Sequence, residues 1–82
     1  MKFLVYAMWE PVDGKQKWVI KECDKNAQLN NGKPWLCFSQ SEGLTGVVGM
    51  TITADTKEEA KQKMLDVIAD YKRRDKEPNV WH

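Results

Sequence analysis

The sequence predicts a two-layer α+β domain: an antiparallel four-stranded meander (β-β-β-β-α) followed by one amphipathic helix packed on one face. Three observations predict it. All five glycines and most β-branched and aromatic residues fall in residues 1–54. Residues 55–74 contain no Gly or Pro and are rich in Lys, Glu and Ala, which favours a helix. The chain is 82 residues, enough for one core but not two. The expected division is a single domain over 1–74 and a C-terminal tail over 75–82 without obvious structure.

The elements follow in order. Phe3 to Glu10 and Gln16 to Cys23 read as strands. Between them Asp13-Gly14 suits a two-residue type I′ turn, because both central positions need positive φ. That turn predicts a register with Trp9 facing Trp18, Ala7 facing Ile20, Met8 facing Val19, Leu4 facing Cys23 and Glu10 facing Lys17. Both faces of the first strand are apolar, which suggests a central strand or one covered on both sides. Asp24 to Pro34 reads as a loop, with three Asn, a Gly and a Pro. Trp35 to Gln40 is a third strand, Ser41 to Gly46 a turn, and Val47 to Ala54 a fourth strand. Gly49 within it marks a bulge or a close approach.

The helix is predicted over about residues 56–74. Thr56 and Glu59 stand at capping-box spacing, and Asp55 adds negative charge near the positive end of the dipole. Ala60, Met64, Val67, Ile68 and Tyr71 recur at i, i+4, i+7, i+8 and i+11, one apolar face. Lys72, Arg73 and Arg74 suit the negative end, and Pro78 bars continuation.

The function classes are narrowed mainly by exclusion. Lys and Arg total 13 against 12 Asp and Glu, a net charge of +1, which argues against bulk attraction to nucleic acid or membrane as the main activity. No apolar run approaches the ~20 residues that span a bilayer, and the Phe3–Trp9 run lacks a signal-peptide cleavage pattern. The expectation is a soluble cytoplasmic protein, complete from Met1. Cys23 and Cys37 are expected to be free thiols, given no secretory context. With one histidine, His82, and no CxxC or HxxxH spacing, no metal site is expected. No Ser-His or Cys-His pair, phosphate-binding glycine loop or cofactor motif is present, so neither enzyme nor cofactor is expected.

What remains is surface. Four tryptophans is a high count for this length, and Trp favours binding hot spots. Trp9 and Trp18 read as hairpin packing. Trp35, beside Lys33-Pro34 at the mouth of a loop, and Trp81, in a polar tail, are the candidate partner-binding anchors, with Lys33 beside them. Lys15, Lys17 and Lys21 form an alternative basic strand face for nucleic acid, with Trp35 or Tyr6 interleaved.

The segment Gly43 to Ile68, GLTGVVGMTITADTKEEAKQKMLDVI, resembles part of the HicB-like antitoxin domain: a Gly-containing turn, a strand, then a helix start like Ala54-Asp55-Thr56-Lys57-Glu58-Glu59-Ala60. The chain departs from that family in its Asp24–Gln40 insertion and in lacking a following DNA-binding segment. The leading functional expectation is a small non-catalytic protein that binds and inhibits a larger protein or ribonucleoprotein. Antitoxins and the anti-defence inhibitors of phages, anti-CRISPR proteins among them, are of this kind. The alternative is a nucleic-acid-binding module. No membrane partner is expected, and homodimerisation stays open.

Overall fold

The computed structural model describes residues 1–37 and 46–80. Four strands, β1 (Lys2–Met8), β2 (Trp18–Cys23), β3 (Trp35–Cys37) and β4 (Val47–Thr53), form one antiparallel sheet, and a single helix, α1 (Lys57–Arg73), follows. This is the expected α+β two-layer class. The predicted third strand beyond Cys37 and most of the predicted 41–46 turn lie outside the described residues.

The strand order is β2-β1-β4-β3, which corrects the predicted meander. β1 pairs with β2 on one side and with β4 on the other, Phe3 facing Ile52 and Ala7 facing Val48. A strand apolar on both faces thus takes a central position. The predicted Asp24–Pro34 loop connects opposite edges of the sheet instead of joining neighbours. Its chain makes a turn in which the Asn26 amide donates to the Asp24 carboxylate, then a short 3₁₀ turn at Asn30–Gly32.

The β1–β2 register also differs from expectation. The turn forms as predicted: Asp13 and Gly14 have φ of 54° and 72°, and Lys15 N–H donates to Val12 C=O at 2.9 Å. Yet Ala7 faces Trp18, not Ile20, a displacement of two residues. Between that pair and the Val12–Lys15 bridge, one strand spends four residues, Met8 to Pro11, and the other only Gln16 and Lys17. Pro11 has no N–H to continue a ladder. The Gln16 side-chain amide substitutes, accepting from Met8 N–H at 2.7 Å and donating to Met8 C=O at 2.8 Å. Because the slip is two residues, each side chain keeps its face. Trp9 and Trp18 still share the helix-facing core, although they are not direct partners.

That core joins Phe3, Val5, Ala7, Val48 and Ile52 from the sheet to Ala60, Met64 and Ile68 from α1. Cations cover its aromatic margin. Lys61 lies 5.3 Å from the Trp18 ring centroid and Lys72 5.0 Å from that of Trp9, the Lys72 ammonium also donating to Trp9 C=O at 2.8 Å.

The start of α1 is capped as its sequence suggests. Thr56 Oγ1 accepts from Glu59 N–H at 3.1 Å, and the Glu59 carboxylate accepts from Asp55 N–H at 3.2 Å. That backbone hydrogen bond, with a further contribution from Lys63, holds the Glu59 carboxyl below its usual range. A depressed folded-state pKa stabilises above the unfolded value, and the contribution is lost as pH falls through the folded value. Thr56→Ala is therefore expected to cost ~0.5–2 kcal/mol. Glu59→Gln is expected to flatten the acid limb of the stability curve. Urea melts of both variants from neutral to acid pH check this.

The helix ends where it is expected to, its last turn at Arg73 and its cap at Arg74. α1 closes in a Schellman motif before Pro78 is reached: Lys76 N–H donates to Tyr71 C=O at 2.9 Å and Asp75 N–H to Lys72 C=O at 3.1 Å. Asp75 takes the left-handed position, φ 54°, that glycine fills most easily. Asp75→Gly is expected to raise stability by ~1 kcal/mol, read as a higher melting temperature. The described residues beyond it, up to Val80, pack back on the domain. Pro78 is buried, Leu36 N–H donates to Asn79 C=O at 2.9 Å, and Val80 bridges Leu36 in parallel on the outer side of β3.

Candidate interaction surface

α1 occupies one face of the sheet, the face of Val5, Ala7 and Ile20. Strand alternation sends Leu4, Tyr6, Met8, Val19, Lys21, Trp35, Val47, Gly49 and Thr51 to the opposite face. Leu4, Tyr6 and Val19 there are only half-buried. Met8 and Val47 form a second apolar cluster, with Tyr6, Val19 and Cys37 packed against it. Among the described residues, no helix covers this face.

Its centre is an aromatic pair seated on a glycine. Tyr6 and Trp35 flank Gly49 from the two neighbouring strands, their rings 6.1 Å apart and 83° to one another. A Cβ at Gly49 would stand 2.7 Å from the Tyr6 ring and 2.8 Å from that of Trp35. The glycine is there for a close approach, and the ladder runs through it without a bulge. Burial pushes the Tyr6 phenol above its usual pKa; Cys37 adds to the shift and Lys21 opposes it. The phenol therefore stays neutral, a hydrogen-bond donor, through the physiological range.

Thr51 on this face is 6% exposed and its hydroxyl has no hydrogen-bond partner among the described residues. A buried hydroxyl left unpaired costs roughly 1–3 kcal/mol. Thr51→Val is expected to raise stability by about 1 kcal/mol, measurable by urea unfolding.

The predicted site residues fare unequally. Trp35 is 3% exposed, so it cannot serve as an exposed anchor, which corrects that expectation. It is buried because it packs on Gly49 and Tyr6. Trp81 lies outside the described residues. Lys33 is exposed, beside a cleft of about 380 Å³ lined by Asn30, Asn31, Tyr71, Glu77 and Asn79. Lys15, Lys17 and Lys21 do not form one continuous strand face. Lys15 closes the β-turn, Lys17 precedes β2, and only Lys21 lies within the strand. The sequence reasoning passed over Leu4 and Val19. The signal for them was present in β1, whose second apolar face needed a cover that one helix does not supply.

Cys23 and Cys37 lie on the two edge strands, and neither is in a disulfide. Three strand spacings separate those edges, about 14 Å, too far for a disulfide. Among the described residues, no group of three or more His, Cys, Asp or Glu side chains could hold a metal ion, and no helix is long and apolar enough to cross a membrane. No protein-family model, curated protein or solved structure matches the chain.

Proposed function

We propose that the chain is a small non-catalytic interaction protein that binds and inhibits a larger protein or ribonucleoprotein through the sheet face opposite α1. An antitoxin or a phage anti-defence inhibitor acts in this way. The observation that carries the reading is the half-buried strip of Leu4, Tyr6 and Val19, which lies against no described helix. A flat apolar strip centred on a rigid aromatic suits a protein surface, where aromatic anchors concentrate binding energy. Tyr6 takes the anchoring role expected of Trp35.

A second reading, nucleic-acid binding, is favoured by one feature. The strand residues on this face include Lys2 and Lys21 and no carboxylate, Glu22 lying on the helix side by alternation. The two readings separate by salt. Capture from host-cell extract with the wild-type chain identifies the partner. Titration at about 50 and 300 mM salt then follows, with Leu4→Glu and Val19→Glu in parallel. Loss of affinity in both variants, with unchanged circular dichroism and a shallow salt slope, supports a protein partner. A slope steepening with the number of phosphates contacted makes the partner nucleic acid. Full affinity in both variants overturns the open-face surface.

A further inference from the structure

The polar cleft beside Lys33 is built from three stretches of chain: the Asn30–Pro34 turn, Tyr71 at the end of α1, and Glu77 and Asn79 of the tail. Each stretch is pinned by its backbone. The Asn30 side-chain amide donates to the carbonyls of Lys33 and Pro34, both at 3.2 Å, and so closes the turn. Lys76 N–H on Tyr71 C=O ties the tail to the helix, and Asn79 C=O accepts from Leu36 N–H of β3. Pro34 and Pro78 are buried. The walls are thus in place before any ligand arrives, as in most binding clefts.

The lining side chains are far less committed than the backbone. Lys33 and Glu77 bring opposite charges to the same cleft, yet neither has an ion pair or a side-chain hydrogen bond among the described residues. The side-chain amides of Asn31 and Asn79 have no hydrogen-bond partner there either. Arg74 lies 5.0 Å from the Tyr71 ring centroid, but Asp70 matches its charge at 2.8 Å. Asn30 and Asn31 both hold left-handed φ, 53° and 55°, a conformation that side chains resist, and both line the cleft.

We infer that the cleft binds a small zwitterion, an amino acid or a dipeptide with both ends charged. Lys33 pairs with its carboxylate, Glu77 with its ammonium, and the Asn31 and Asn79 amides with the polar groups between. The charge pattern selects this class. A lone anion such as phosphate would be met by Lys33 and opposed by Glu77, and a lone cation the reverse. A neutral sugar would satisfy the amides but leave both charges without a partner. Size agrees: about 380 Å³ lies near the lower end of ligand pockets. The inference goes beyond the proposed function and does not depend on it, because the cleft shares no residue with the open sheet face.

The test is a nuclear magnetic resonance titration of the isotope-labelled chain with glycyl-serine up to about 20 mM, well above an expected Kd of about 1 mM for so exposed a site. The backbone amides of Asn30 to Lys33, Tyr71, Glu77 and Asn79 should shift together. N-acetyl-glycyl-serine and glycyl-serine amide, each lacking one charge, should bind at least about 10-fold more weakly. Lys33→Gln and Glu77→Gln should weaken glycyl-serine by a similar factor. Both residues are exposed, so each variant should keep the wild-type melt. No shift with glycyl-serine overturns the inference, as do shifts that avoid the cleft. So does equal affinity for the charge-blocked forms, full affinity in either variant, or glucose binding as tightly as glycyl-serine.

Discussion

Ile68→Asp is expected to unfold the domain. Ile68 lies in the core between α1 and the sheet, 7% exposed, in a cluster with Met64, Ala60, Val5 and Ile52. A carboxylate there would be taken out of water among apolar side chains. Leaving a buried charge unpaired costs roughly 3–5 kcal/mol, beyond the apolar burial lost with the isoleucine. A domain of this size has only about 4–12 kcal/mol in all. Circular dichroism should show the loss of the cooperative melt. Leu65→Asp provides the contrast on the same helix: Leu65 is 39% exposed, and its substitution should leave the melting temperature within a few degrees. A cooperative, unshifted melt for Ile68→Asp would mean that α1 does not bury this face.

The difference between those two residues was legible in the sequence, and the reason is locality. The 3.6-residue period, the Thr56 cap and the basic last turn all act within one or two turns of helix, so each can be read from neighbouring letters. The Asp13-Gly14 turn was legible on the same ground. The register beyond it was not, because Gln16 replaces a backbone partner with its side chain, and only the fold reveals that substitution. Strand order was hidden for a related reason. The β1–β4 pairing joins residues some 40 to 50 positions apart in sequence, and sequential neighbours are only the commoner arrangement. The fate of Trp35 depended on that pairing as well. Its position after Lys33-Pro34 suggested a loop margin, whereas β4 supplied the glycine on which it packs. The helix end was legible to within a residue, but the Schellman cap was not, because Asp75 adopts the left-handed position without being glycine. The candidate surface was half legible: the second apolar face of β1 was visible, but not which of its residues would stay partly exposed.

Gly49→Val is expected to be the second most damaging substitution, and it tests whether the aromatic pair holds the open face together. Gly49 is buried in β4 with β1 on one side and β3 on the other. Its backbone is ordinary strand, so no glycine-only φ is being protected, and valine is by propensity the better strand residue. Propensity alone therefore predicts a gain. Sterics predict the reverse. The first added carbon would lie 2.7 Å from Tyr6 Cε1 and 2.8 Å from two Trp35 ring carbons, closer than such contacts are found. The rings approach from opposite sides, so moving one does not relieve the other. Overpacking costs ~1–3 kcal/mol, and valine brings two further methyl groups into the same gap. The steric term exceeds the propensity gain, which spans at most ~1 kcal/mol. A fall of more than about 10 °C in melting temperature is expected, with a smaller fall for Gly49→Ala. Tryptophan fluorescence should change with it, since Trp35 would be pushed from its packed position. An equal or higher melting temperature for Gly49→Val would show that Tyr6 and Trp35 do not close on the strand, and the Leu4–Tyr6–Val19 strip would lose its rigid centre.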